Sequence, residues 1–157
     1  MKIKKIISGG QTGADQGGLE AGKELKIETG GTAPLGFRTE NGSDLRLKSK
    51  FNLSESVYYE YPPRTKLNII MSDGTIIFGS LTGGSKLTLQ LCQKFDKPAF
   101  VIPVNKDLVS RQEMIKDVKL WLENHKIKCL NVAGNRESGN PGIQKFTREF
   151  ILDLFKD

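Results

Sequence analysis

The chain has 157 residues, 37% of them apolar, and a formal net charge of +6. That length and composition suit one domain, spanning 1–157, with a sizeable core. No run approaches the roughly 20 apolar residues that cross a bilayer, so no membrane partner is expected. The basic residues are spread along the chain, with no aromatic-interleaved run of the kind that tracks a nucleic-acid backbone. A nucleic-acid partner is therefore not expected either, while a small anionic ligand suits the charge. Met1-Lys2-Ile3-Lys4-Lys5-Ile6 enters strand-like sequence at once, so no signal peptide is expected and the cytoplasm is the expected location. Cys92 and Cys129 fit no metal-ligand spacing and read as small core residues; no metal site is expected.

In chain order, Ile3 to Ser8 reads as a first strand stopped by Gly9-Gly10. Asp15 to Lys26 reads as a helix with Leu19, Gly22 and Leu25 toward the sheet. The glycines at 17, 18 and 22 cost about 1 kcal/mol each inside a helix. Close packing, or close approach to a ligand, would explain them. Glu28 to Thr32 is a weaker strand, followed by a polar loop from Ala33 to about Ser56 whose length suggests function or mobility. Val57 to Tyr61 reads as a short edge strand ended by Pro62-Pro63, and Arg64 to Met71 as a short helix. Thr75 to Phe78 is the strongest central strand. Lys86 to Phe95 is helical, Ala99 to Pro103 a strand and Arg111 to His125 an amphipathic helix. Ile127 to Val132 is the last strand and Ile143 to Phe155 a closing helix. This alternation implies parallel pairing and right-handed crossovers: a three-layer α/β/α sandwich with a Rossmann-like sheet in the order 3-2-1-4-5-6.

Three apolar runs end in turns of small residues. The first is Ser8-Gly9-Gly10-Gln11-Thr12-Gly13-Ala14-Asp15, the second Leu81-Thr82-Gly83-Gly84-Ser85, and the third Asn131-Val132-Ala133-Gly134-Asn135-Arg136. In an open parallel sheet such turns share the carboxyl edge, where ligands bind. A glycine turn before a helix removes Cβ atoms and points bare N–H groups at an anion. The expected binding residues are Ser8, Gly9, Gly10, Gln11, Thr12, Gly13, Asp15, Arg64, Thr82, Gly83, Gly84, Ser85, Asn131, Gly134 and Arg136. Neither a Gly-x-Gly-x-x-Gly nor a Gly-Lys-Ser/Thr order is present. Asp15 either caps its helix or addresses a hydroxyl, amino group or cation of the ligand. The third turn, with Glu137 and Ser138, suits a polar surface loop as well as a site. Arg38, Arg64 and Arg136 are the cations best placed for this edge. Tyr58, Tyr59 and Tyr61 could stack a flat heterocycle, but edge-strand packing is the favoured reading. His125, with no acid or nucleophile near it in sequence, reads as structural.

The stretch 8–15 closely resembles the opening of the molybdenum cofactor carrier proteins. So do Pro34-Leu35-Gly36 with Glu40-Asn41-Gly42, Arg64-Thr65 with Asn68, Ser72-Asp73-Gly74, 81–85 and 131–138, in the same order. That family is similar in fold to the cytokinin-activating phosphoribohydrolases, the lysine-decarboxylase-like group. The resemblance implies a dimer or tetramer with a site for the phosphate and pterin of molybdopterin, or otherwise for a phosphate-containing nucleotide. Gln90 stands where the hydrolase branch has a catalytic Glu, and Gln cannot exchange a proton near neutral pH. A carrier without turnover is therefore expected. The alternatives are an N-glycosidase-like enzyme on nucleotides or sugar phosphates, with Asp15 or Glu137 as its acid, and a nucleotide-sensing module.

Overall fold

The computed structural model describes residues 2–104 and 108–156. Its centre is a five-stranded, all-parallel sheet. In chain order the strands are β1 (Lys5–Ile7), β2 (Glu28–Gly30), β3 (Gly74–Phe78), β4 (Ala99–Ile102) and β5 (Cys129–Gly134). The helices are α1 (Ala14–Glu24), the single turn α2 (Arg46–Ser49), α3 (Tyr61–Met71), α4 (Gly83–Lys94), α5 (Leu108–Asn124) and α6 (Ile143–Phe155). Helices α1, α5 and α6 pack together on one face, and α3 and α4 on the other, which completes the three-layer sandwich. Among the described residues no helix is long and apolar enough to cross a membrane.

The strand order departs from 3-2-1-4-5-6. Across the sheet it runs β2-β1-β5-β3-β4, with the last strand inserted between the first and the third. Counted from the inserted strand, the same order reads 3-2-1-4-5, the doubly wound arrangement. The chain is a circular permutation of that arrangement. Polar contacts key the inserted strand to β3 along its length. Asp73 Oδ2 accepts the N–H groups of Lys128 and Cys129 at 2.9 and 2.8 Å, and these bonds hold its carboxyl below the usual carboxylate range. Midway, Asn131 Nδ2 donates to Thr75 Oγ1 at 3.2 Å. At the carboxyl end, the Asn135 N–H donates to Phe78 O at 3.0 Å.

All five residues of β3 are buried, as its apolar run requires of a strand covered on both faces. Phe78 meets Phe150 and Phe146 of α6 edge-to-face, with centroids 5.5 and 6.3 Å apart. The glycines of α1 serve packing. A Cβ at Gly17 would lie 2.5 Å from Gln144 O of α6, one at Gly18 would lie 2.7 Å from Val132 of β5, and one at Gly22 would lie 2.8 Å from Thr29 of β2.

Two expectations fail around the long loop. Val57 to Tyr61 is not a strand: Tyr61 opens α3, with Pro62 and Pro63 in the first turn, where a missing N–H costs nothing. Residues 33–56 are not a loose loop but fold around a small core of their own: Leu19, Ala33, Phe37, Leu47, Phe51 and Leu53. Within it Arg38–Thr39 pairs antiparallel with Gly42–Ser43, and Thr32–Ala33 pairs parallel with Ser54–Glu55. Both cysteines are free, and burial pushes both thiols up, which disfavours the thiolate.

Gly17→Ala tests the α1–α6 contact. At an ordinary helical position this change stabilises by about 1 kcal/mol. Here overpacking against Gln144 O is expected to cost about 1–3 kcal/mol, read as a fall of several degrees in the thermal midpoint.

Candidate functional site

The inserted strand moves the topological switch point to the gap between β5 and β3. The third and second turns, which follow these two strands, therefore frame the crevice directly, and the first turn stands one strand further out. A cavity of about 550 Å³ occupies the crevice, a volume typical of small-molecule sites. Its walls include Gln11, Asp15, Tyr61, Arg64, Asn135 and Arg136, and its floor is the N-terminus of α4.

Of the expected residues, the cavity collects Gln11, Asp15, Arg64, Thr82, Gly83, Gly84, Ser85, Gly134 and Arg136. Ser8, Gly9, Gly10, Thr12, Gly13 and Asn131 do not line it. The first turn was read as a row of bare amides, and the structure contradicts this. Gly10 N–H donates to Ser8 Oγ, Gln11 N–H to Asp15 Oδ2, Thr12 N–H to Gln11 Oε1 and Gly13 N–H to Gln144 Oε1, at 2.9–3.2 Å. Ala14 N–H donates to Asn135 O at 3.1 Å. These five N–H groups hold the turn together and are not open to an anion. Gly9 lies under the Arg64 side chain, and Gly10 packs on Leu47 and Leu53. Thr12 Oγ1 donates to Glu40, whose carboxylate also accepts the N–H and Oγ of Ser138.

The second turn is different. Among the described residues no hydrogen bond engages the N–H of Gly83 or Gly84, the first two residues of α4, and a Cβ on either would meet open space. These are orphan donors at the positive end of a helix dipole, beside the Ser85 and Thr82 hydroxyls. Facing them, Gln11 Oε1 accepts the N–H groups of Thr12 and Glu40, at 3.1 and 2.8 Å. With its oxygen fixed by two donors, the amide nitrogen must point the other way. Gln11 is 6% exposed, and its buried Nε2 has no partner. Arg64 Nε is likewise buried and unpartnered, although Nη1 lies 3.6 Å from Asp15 Oδ2.

Asp15 does not cap α1, whose N-cap is Gly13. Its carboxylate accepts the Gln11 N–H and pairs with Arg64. Burial raises its pKa above the ordinary aspartate value, against the opposing pull of Arg64, the Gln11 N–H and Arg136. Glu137 is also occupied: its two oxygens accept the N–H groups of Gly142 and Gln144, at 2.7 and 3.0 Å, at the start of α6. Gln90 is exposed on α4 and does not line the cavity; Thr88 does. His125 is exposed beside Trp121 and also does not line it.

Two residues central to the crevice were not among those expected. Asn135 Oδ1 accepts the Ser80 N–H at 2.9 Å, and its Nδ2 donates to Ser80 O and Ser85 Oγ, both at 2.9 Å. One side chain thus ties the third turn to the second. Tyr61 lies in a different setting from the edge strand expected for it. The guanidinium carbons of Arg38, Arg64 and Arg136 lie 4.6, 5.5 and 5.6 Å from its ring centre. Pro62-Pro63, as a helix-start signal, was the clue that could have placed it.

A ligand crevice at the carboxyl edge of a parallel doubly wound sheet defines a Rossmann-like binding protein. The permuted strand order narrows this further: the chain belongs to the circularly permutated YpsA SLOG family, whose model matches residues 6–155. It is similar to a crystal structure from Syntrophus aciditrophicus SB described as a "putative molybdenum carrier protein", with a TM-score of 0.89 and 35% identity. The match covers 99% of this chain and 96% of that one. No curated protein matches the chain.

Asn135→Ala removes both halves of the clamp at once. Ser80 is exposed and can turn to water, so the expected cost is about 1 kcal/mol, the net worth of the lost bonds, read as a lower denaturant midpoint with an unchanged slope.

Proposed function

We propose that this protein is a cytoplasmic carrier that holds a phosphorylated heterocycle of the molybdopterin class without turning it over. The phosphate sits at the N-terminus of α4, against the Gly83 and Gly84 amides, with Arg64 and Arg136 opposite. The observation that carries this reading is the convergence of unsatisfied donors on one cavity. Among the described residues the buried Gln11 Nε2 and Arg64 Nε have no partner, and both residues line the same cavity as the two glycines. Leaving buried donors unpaired costs about 1–3 kcal/mol each. An oxyanion at this position relieves that cost.

The donor set suits an oxyanion cargo rather than a bare metal ion. Among the described residues no group of three or more His, Cys, Asp or Glu could hold a metal. The cargo would be gripped through its phosphate and other oxygen groups. The likeness to the structure described as a "putative molybdenum carrier protein" supports a molybdenum-related cargo. Against an enzymatic reading, the carboxylates of Asp15 and Glu137 are both committed to backbone N–H groups.

Gly84→Asp separates binding from folding. Gly84 has open space around it and lies in the first turn of α4, where a carboxylate favours the dipole. The thermal midpoint is expected to hold or rise, while phosphate binding falls at least about tenfold, the worth of one charge-assisted bond. Undiminished binding in the folded variant refutes the site. Mass spectrometry of the native protein should find a pterin phosphate at stoichiometric level.

Asp15 gives the site a pH dependence of defined sign. An anion beside it disfavours the ionised carboxyl further, so binding takes up a proton and tightens as pH falls toward the raised pKa. Sulfate, whose charge is constant over this range, is the probe. Its affinity should rise on acidification, and Asp15→Asn should flatten that profile.

A further inference from the structure

We infer that the ligand runs past Tyr61 into a second cavity and carries two or more linked phosphate groups. A compound with a diphosphate or longer bridge would then be the preferred class, over a monophosphate. The inference rests on the phosphate site proposed above and extends it.

The second cavity has a volume of about 640 Å³ and lies between the 38–43 hairpin and the start of α3. Tyr61 and Arg136 line both cavities, so the two adjoin at this shared wall. Arg38 belongs to the second cavity alone. Its guanidinium lies 4.2 Å from the Tyr59 ring centre and 4.6 Å from that of Tyr61, and its Nη1 donates to Tyr59 O at 3.2 Å. Stacking on the tyrosines holds the guanidinium in place but does not neutralise it.

The charge around Tyr61 is unbalanced. Of the three arginines that gather on its ring, only Arg64 has a carboxylate oxygen within 4.0 Å among the described residues. Glu40 shares the second cavity as a carboxylate, and its bonds from Thr12 and Ser138 leave its charge in place, so three guanidiniums stand against the two carboxylates of Glu40 and Asp15. Donors therefore form a row from the α4 amides and Arg64, across Arg136, to Arg38. A single phosphate held in the first cavity leaves Arg38, which lines only the second, without an anionic ligand group. Linked phosphates satisfy it along its length, and Arg binds each through planar, bidentate contacts. A heterocycle is a poorer occupant of the second cavity, because Arg38 already covers the Tyr59 and Tyr61 rings.

Linear phosphates test this without assuming a base. Affinities for phosphate, pyrophosphate and tripolyphosphate are measured by calorimetry at one fixed ionic strength, which keeps screening constant. In the wild type affinity should climb along the series. In Arg38→Ala, and in Arg38→Gln, which keeps a donor for Tyr59 O, the ratio of tripolyphosphate to phosphate affinity should fall about tenfold. An unchanged ratio in folded variants overturns the inference, since the climb then reflects charge alone. An unchanged ratio with phosphate still bound overturns only this extension; failure of phosphate itself to bind overturns the primary site.

Discussion

The position of β5 is the constraint on which the rest of the structure depends. It separates β1 from β3, so the glycine turns after those two strands do not meet across a common boundary. It puts its own turn, with Gly134, Asn135 and Arg136, in the middle of the carboxyl edge. Asp73, Asn131 and Asn135 hold that placement at the bottom, middle and top of the strand. Asn131 is the buried key of the three and fixes register, because a shifted strand would leave its side chain unsatisfied.

Much of the layer structure was legible from periodicity. The closing helix over 143–155 and the buried strand ending at Phe78 lie where the apolar spacing puts them. Strand order was not legible, because each run records only that its strand is buried and not which strand lies beside it. The contacts that decide the order join residues 55 or 56 positions apart. The open amides expected of the first turn are missing for another reason. Small residues are demanded equally by ligand approach and by close backbone packing, and here Gly9, Gly10 and Gly13 answer to Arg64, Leu47 and the third turn. The second turn carries the same composition with its amides left open. That difference depends on what lies opposite, and short-range sequence does not contain it.

The electrostatics of the crevice follow from the same crowding. Asp15 is buried beside Arg64, and its carboxyl is pushed toward the neutral form despite that partner. Desolvation outweighs the attraction, as it commonly does for a buried pair. Arg38 and Arg136, with no carboxylate oxygen within 4.0 Å among the described residues, carry most of the positive field around Tyr61. A tyrosine at the first position of a helix, steered there by two prolines, becomes the platform on which that field is arranged. The long segment 33–56 contributes Glu40 and Arg38 to the rim, so its own small core stabilises the edge of the crevice.

The central place of β5 also bears on how the protein is made. While the chain is being synthesised, β1–β2 and β3–β4 can form as two separate parallel pairs. Each then presents an unpaired inner edge until the residues through Gly134 have left the ribosome. Exposed strand edges of this kind are templates for aggregation. A nascent chain arrested between Ile102 and Cys129 would carry two such edges at once. Early emergence of the N-terminal half therefore gives no finished sheet, and assembly waits on the strand translated last.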